Sequence, residues 1–153
     1  MNYIIGDIGN TSTRICLLNK SKILNSIIFD TKKIFLKGFF KRIINRFRKK
    51  NLKNEILFSC VVPLALKEIK KNLKKTNYRV LEIKSLNLKK MIKINIKNFK
   101  QLGSDRIVNS IKGKEFKNCL IIDFGTATTF DIVKNKKYEG GVIAPGIKLS
   151  IKN

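Results

Sequence analysis

One short pattern occurs twice in this 153-residue chain, and it limits the fold more than any other feature. Asp7-Ile8-Gly9-Asn10-Thr11-Ser12-Thr13 and Asp123-Phe124-Gly125-Thr126-Ala127-Thr128-Thr129 share the form D-φ-G-x-x-[ST]-T, 116 residues apart. Each copy follows an apolar run of strand length and leads into another, so each reads as the turn of a β-hairpin. The chain has only five Asp, and one heads each copy. Glycine at the third position lets the backbone come close to a ligand and present its N–H groups. The hydroxyls of Thr11, Ser12, Thr13, Thr126, Thr128 and Thr129 add donors that suit phosphate oxygens. An Asp placed among phosphates makes chemical sense if it holds Mg²⁺ or its water. Ordinary turn formation explains a single copy; two copies, each at the first strand of a β-rich stretch, favour a phosphate tail as the ligand. Neither copy is a P-loop, and no GxGxxG occurs.

The rest of the chain places these turns in an α/β frame. Tyr3–Ile5, Thr13–Leu18 and Ile23–Phe29 read as three strands of an antiparallel meander. Asp30 or Thr31 can cap a helix running to about Lys50, with Leu36, Phe39, Phe40, Ile43, Ile44 and Phe47 along one stripe. Glu55–Cys60 is a strand. Pro63 suits the first turn of a helix that carries Leu66, Ile69 and Leu73. Tyr78–Ile83 is a further strand, followed by a polar connection with a short strand near Ile92–Ile96. Ser104 or Asp105 opens a helix with Ile107, Val108 and Ile111 on one face. Cys119–Asp123, Thr128–Val133 and Tyr138–Ile143 then follow as three closely spaced strands.

Two further segments have functional character. Gly103-Ser104-Asp105-Arg106 stands at a helix start. Its Asp is either a first-turn residue stabilised by the helix dipole, or a carboxylate that accepts a proton from a substrate hydroxyl beside an anion-binding Arg. Gly140-Gly141-Val142-Ile143-Ala144-Pro145-Gly146 is glycine-rich enough for close backbone approach.

Composition removes several alternatives. Without His there is no Ser-His-Asp triad and no imidazole metal site. Cys16, Cys60 and Cys119 form no CxxC and sit in apolar runs, so they read as buried thiols in a reducing compartment. The formal charge is +24, from 34 Lys+Arg against 10 Asp+Glu. A nucleic-acid surface would explain such a charge. However, Lys outnumbers Arg 28 to 6 and is scattered throughout, and Ile and Asn are abundant alongside it, as A+T-rich codons dictate. The aromatics Phe35, Phe39, Phe40 and Phe47 in the most basic stretch fall close to a core-type stripe. Nucleic acid is therefore not the expected partner. No apolar run reaches the ~18 residues of a bilayer span, and there is no basic leader, so a cytoplasmic protein without membrane contact is expected.

Taken together, the first repeat, the GSDR segment, Asp123 to Asp131 and Gly140 to Gly146 resemble type III pantothenate kinase in order and spacing over essentially all 153 residues. The first motif alone is typical of the whole acetate and sugar kinase, Hsp70 and actin superfamily. The GxDR and DxGTATTxD pair is specific to this kinase. The resemblance implies an actin-like (ribonuclease H-like) α/β kinase fold. Residues 1–116, including the GxDR helix, would form a complete first domain, and 117–153 the start of a truncated second. It implies ATP-dependent phosphorylation of pantothenate to 4′-phosphopantothenate, the first step of coenzyme A biosynthesis. Asp7, Ile8, Gly9, Asn10, Thr11, Ser12, Thr13 and Arg14 would then form the first ATP phosphate loop, with Asp7 serving Mg²⁺ through water. Thr126 would belong to the second loop, and Asp123 would bind a monovalent cation, K⁺ or NH₄⁺. Gly103, Ser104, Asp105 and Arg106 would contact pantothenate, with Asp105 as catalytic base. A homodimer is implied, and a separate chain could supply the rest of the second domain. Ile96 and Phe99 depart from the Tyr and Pro that the family often places ahead of GxDR. The alternatives are a kinase of the same superfamily with another small acceptor, or a non-catalytic basic protein binding nucleic acid or a partner.

Overall fold

A computed structural model describes residues 1–47 and 51–151. It divides into two compact units, Met1–Ser85 and Leu86–Asn153. The division falls ahead of the 116/117 boundary expected from sequence, because the helix that carries GSDR packs on strands of the second unit.

In the first unit, β1 (Asn2–Ile8), β2 (Ser12–Asn19) and β3 (Lys22–Asp30) form the expected meander. β4 (Leu52–Cys60) and β5 (Arg79–Glu82) then add parallel to it, giving the order β3-β2-β1-β4-β5. Parallel strands need crossovers, and α1 (Phe39–Asn45) and α2 (Pro63–Leu73) supply them. Alternate strand residues face the helices, so Ile4, Ile8, Ile15, Leu17, Phe29, Ile56 and Phe58 meet Phe40, Ile43, Ile44, Phe47, Leu66, Ile69 and Leu73 in one core.

The long helix expected from residue 30 onward is broken. Asp30 does cap, accepting from the Lys32 N–H at 2.9 Å, but only a 3₁₀ turn over Thr31–Phe35 follows. Leu36 is extended, and Gly38 takes a left-handed conformation (φ 68°) that only glycine adopts without a Cβ penalty. The turn buries Ile34 and leaves Phe35 and Leu36 more than half exposed, at 51% and 56%. The stripe read from sequence is therefore helical only from Phe39 on, α1 ends at Asn45, and residues 48–50 of the expected helix lie outside the described residues. None of the three thiols is in a disulfide; Cys16 is buried while Cys60 and Cys119 are half-buried. Burial pushes the Cys60 thiol up.

In the second unit, β7 (Asn118–Phe124), β8 (Ala127–Lys134) and β9 (Lys137–Pro145) form an antiparallel meander. The short β6 (Lys93–Ile94) runs parallel to β9, giving the order β6-β9-β8-β7. α3 (Ser104–Gly113) lies on β7 and β8, and α4 (Ile147–Ser150) follows β9. α3 buries Ser104, Ile107, Ser110 and Gly113, a narrow row at threefold spacing, while Val108 stays 40% exposed. The strand residues that alternate away from Cys119, Ile121 and Val133 are uncovered. Leu120, Ile122, Phe124, Ile132 and Val142 are all 45–65% exposed. No helix among the described residues is long and apolar enough to cross a membrane.

Candidate active site

The first repeat forms the β1–β2 turn. Asp7 is the penultimate residue of β1, exposed, opposite Arg14 on β2 and Ser59 on β4. The Gly9 N–H donates to the Ser12 carbonyl at 3.0 Å and closes the loop. Asn10, Thr11, Ser12 and Arg14 are exposed, whereas Ile8 and Thr13 turn fully inward. Thr13 therefore offers its hydroxyl to the interior, because strand side chains alternate between faces. The group it meets is Thr31, whose Oγ1 lies 3.0 Å from Thr13 Oγ1 and donates to the Gly9 carbonyl at 2.7 Å. The Thr31 N–H also donates to the Thr11 carbonyl. Thr31 is thus a strap on the loop, a role beyond the helix cap read from sequence.

The second repeat forms the β7–β8 turn, closed by the Gly125 N–H donating to the Ala127 carbonyl at 3.0 Å. Asp123 is exposed and faces Thr129 across the ladder. Its Oδ2 accepts from Asn109 Nδ2 of α3 at 2.9 Å. Thr126 is exposed, while Thr128 is buried and Thr129 Oγ1 is buried without a hydrogen-bond partner. Of the six hydroxyls proposed from sequence as phosphate donors, the exposed ones are Thr11, Ser12 and Thr126. Gly146 packs against this turn so closely that a Cβ there would lie 2.5 Å from the Gly125 carbonyl oxygen.

The GSDR segment begins α3, with Gly103 as its cap residue and no side-chain cap bond. Ser104 is buried, and Asp105 is half-buried in the first turn, its Oδ1 accepting from the Arg106 N–H at 2.8 Å. The Arg106 side chain turns onto β8, where Nε donates to Asp131 Oδ1 at 2.9 Å. Nη2 lies 2.7 Å from the same oxygen but makes no hydrogen bond. Tyr138 donates its hydroxyl to that oxygen too, at 2.7 Å. Asp131 is fully buried, and its Oδ2 has no hydrogen-bond partner. Burial lowers the Arg106 pKa, but the bond and charge of Asp131 more than offset this, and it ends above its ordinary value. Burial, with the Asp131 bond and charge, raises the Tyr138 phenol strongly. Gly141 permits the cluster, since a Cβ there would collide with the Phe130 carbonyl and lie 2.8 Å from both Arg106 Nη2 and Asp131 Oδ1.

The structure thus gathers Asp105, Arg106, Asp123 and Thr126 in one unit and the Asp7–Arg14 loop in the other. Sequence reasoning gave no site role to Asn109, Asp131 or Tyr138, and gave Thr31 only that of a helix cap. Asp131 did leave a signal, as the closing Asp of the DxGTATTxD motif and one of only five Asp in the chain.

Each unit holds an antiparallel three-stranded meander extended by parallel pairing, with a D-φ-G turn between its first two strands. That construction places the chain in the actin-like α/β class. A solved structure of a protein assigned as a 2-dehydro-3-deoxygalactonokinase from Sinorhizobium meliloti shares the fold, with a TM-score of 0.56 at 11% identity, over 92% of this chain and 52% of that one. Another, assigned to a Baf family of transcriptional activators from Campylobacter jejuni, matches with a TM-score of 0.56 at 25% identity, over 97% of this chain and 57% of that one. The model of the type III pantothenate kinase family matches residues 3–153, and the chain belongs to that family. The type III pantothenate kinase of Pelagibacter ubique is 47% identical over 97% of this chain, and that of a Sulfurihydrogenibium species 36% over 95%. The chain spans about 60% of the length of these curated relatives.

Proposed function

We propose that the chain carries the phosphate loops and acceptor-binding segment of an ATP-dependent pantothenate kinase, which transfers the γ-phosphoryl group to the 4′-hydroxyl. The observation that supports this most is the anchoring of α3 to the second repeat. Asn109 bonds Asp123 and Arg106 pairs with Asp131, so the GSDR segment is referenced to a phosphate-type turn. In this reading Asp105 accepts the proton of the attacking hydroxyl, Arg106 offers positive charge to the acceptor, and Gly103 and Ser104 shape the backbone around it. Asp7 to Arg14 and Thr126 position the phosphates. Phosphoryl transfer passes through a loose transition state, so positioning and charge neutralisation carry most of the catalysis.

The donor set suits the ions that the family implies. No group of three metal-ligating side chains occurs among the described residues. Exposed Asp7 suits Mg²⁺, which keeps several waters and takes one or two carboxylates plus phosphates. Exposed Asp123, already accepting from Asn109, suits one contact to K⁺ or NH₄⁺. When bound, such ions neutralise charge on the phosphates. A cytoplasmic homodimer is part of the same proposal, as is a partner polypeptide covering the remaining length of the relatives.

The test is pantothenate-dependent ADP release across a panel of small acceptors. It is run with the chain alone and with a polypeptide spanning the remainder of a relative. Pantothenate should be preferred. Asp105→Asn should lower turnover roughly 100-fold or more, as loss of a general base does, with ATP affinity unchanged. Full activity in that variant would refute the assignment.

A further inference from the structure

Asp131 is the one fully buried carboxylate among the described residues, and it sits on the strand that leaves the second repeat, not in any turn. A buried charge is costly unless it is paired. Here one oxygen takes the Arg106 Nε–H, the Tyr138 hydroxyl and the close approach of Arg106 Nη2. The other oxygen and Nη2 have no hydrogen-bond partner. Burying such groups unmatched works against stability, which argues that the cluster serves the site and not the core. Its reach is traceable. The Arg106 side chain is fixed by Asp131, and the Arg106 N–H in turn holds Asp105 Oδ1 at 2.8 Å.

We propose that Asp131 is a positioning residue: held by Tyr138 and admitted by Gly141, it fixes Arg106, and through the Arg106 backbone it aims the Asp105 carboxylate at the acceptor. The inference rests on the reading of Asp105 and Arg106 as acceptor-facing groups.

The chain has only six Arg, so the side-chain Nε–H signals of the ¹⁵N-labelled protein are few enough to assign by substitution. The Arg106 signal should exchange slowly with water, unlike those of solvent-exposed Arg. Asp131→Asn should abolish that protection. Because this variant leaves Arg106 buried without its counter-ion and can fail to fold, Tyr138→Phe is the second probe. It keeps the ion pair and removes one donor. Tyr138→Phe should speed exchange and weaken pantothenate binding about tenfold, as loss of a hydrogen bond to a charged group does. ATP affinity, read by calorimetry, should be unchanged. If pantothenate and ATP affinity fall together, or neither moves, the positioning role is wrong. Fast exchange of Arg106 Nε–H in the unsubstituted chain would also overturn it. If the chain binds no pantothenate yet Tyr138→Phe still releases a protected Arg106, the acceptor reading fails while the positioning of Arg106 stands.

Discussion

The two repeats share one seven-residue pattern, yet they fold into different registers. In the first, the pattern Asp pairs across the ladder with Arg14, one residue beyond the final Thr. In the second, the pattern Asp pairs with that Thr itself, Thr129. The first loop is one residue longer, closing on Ser12 where the second closes on Ala127. Because a strand has a period of two, a slip of one residue moves a side chain to the opposite face. Thr13 thus points away from Asp7 and into the core, whereas Thr129 shares a face with Asp123. A common pattern therefore secures the turn and the carboxylate, while loop length decides which hydroxyls lie beside it.

The strongest way to break this comparison acts on the second unit alone. Gly141→Ala should cost about 3 kcal/mol, because its Cβ would meet the Phe130 carbonyl and force Arg106 and Asp131 apart. Urea unfolding would read it, and a midpoint equal to that of the unsubstituted chain would show that the cluster yields freely. A sharper pair follows from the register. Thr13→Val should cost roughly 1 kcal/mol, since it removes the partner of a buried hydroxyl. Thr129→Val, at the same pattern position, should be neutral or stabilising, because the hydroxyl it removes is buried and unpaired. Equal effects in the two variants would mean that the register difference has no energetic content.

A smaller effect separates the two sheets. Leu120→Thr and Ile122→Thr lie on the uncovered face and should each change stability by less than about 0.5 kcal/mol, with reduced binding of a hydrophobic dye. Ile4→Thr, in the closed first core, should cost several-fold more. One effect is absent at neutral pH and appears only at high pH. The Tyr138 phenol is raised above its ordinary value of 10.0, so the native state keeps this proton after the unfolded chain has lost it. Its contribution is complete below that value and is lost as the pH climbs toward the raised one. The unsubstituted protein should therefore lose stability relative to Tyr138→Phe above pH 10, by at most about 1.4 kcal/mol per pH unit.

Much of this was legible in the chain itself. Apolar runs of strand length, and alternation over Ile23–Phe29, marked the strands of both meanders, and Pro63 marked the start of α2, because these signals are local. The break at Gly38 was not read, since a regular apolar stripe outweighed one glycine and the extended Leu36. In the site, the turns, Asp105 and Arg106 were visible as motifs. The roles of Thr31, Asn109 and Tyr138 were not. Their importance comes from pairing across 7 to 22 residues, which spacing in sequence does not reveal. The face assignments of Thr13 and Thr129 needed the loop register, which two copies of one pattern do not specify.

Thr31 has a consequence for motion. Its hydroxyl and its N–H hold the carbonyls of Gly9 and Thr11, and the residue itself opens the 3₁₀ turn leading toward α1. The loop and the start of that crossover therefore share hydrogen bonds, and local opening of one exposes the other. A ligand that stills the loop would lower the population of that open state. Amide exchange in Lys32 to Phe35, well outside the repeat, would then slow in proportion to occupancy and report binding at the loop from a distance in sequence.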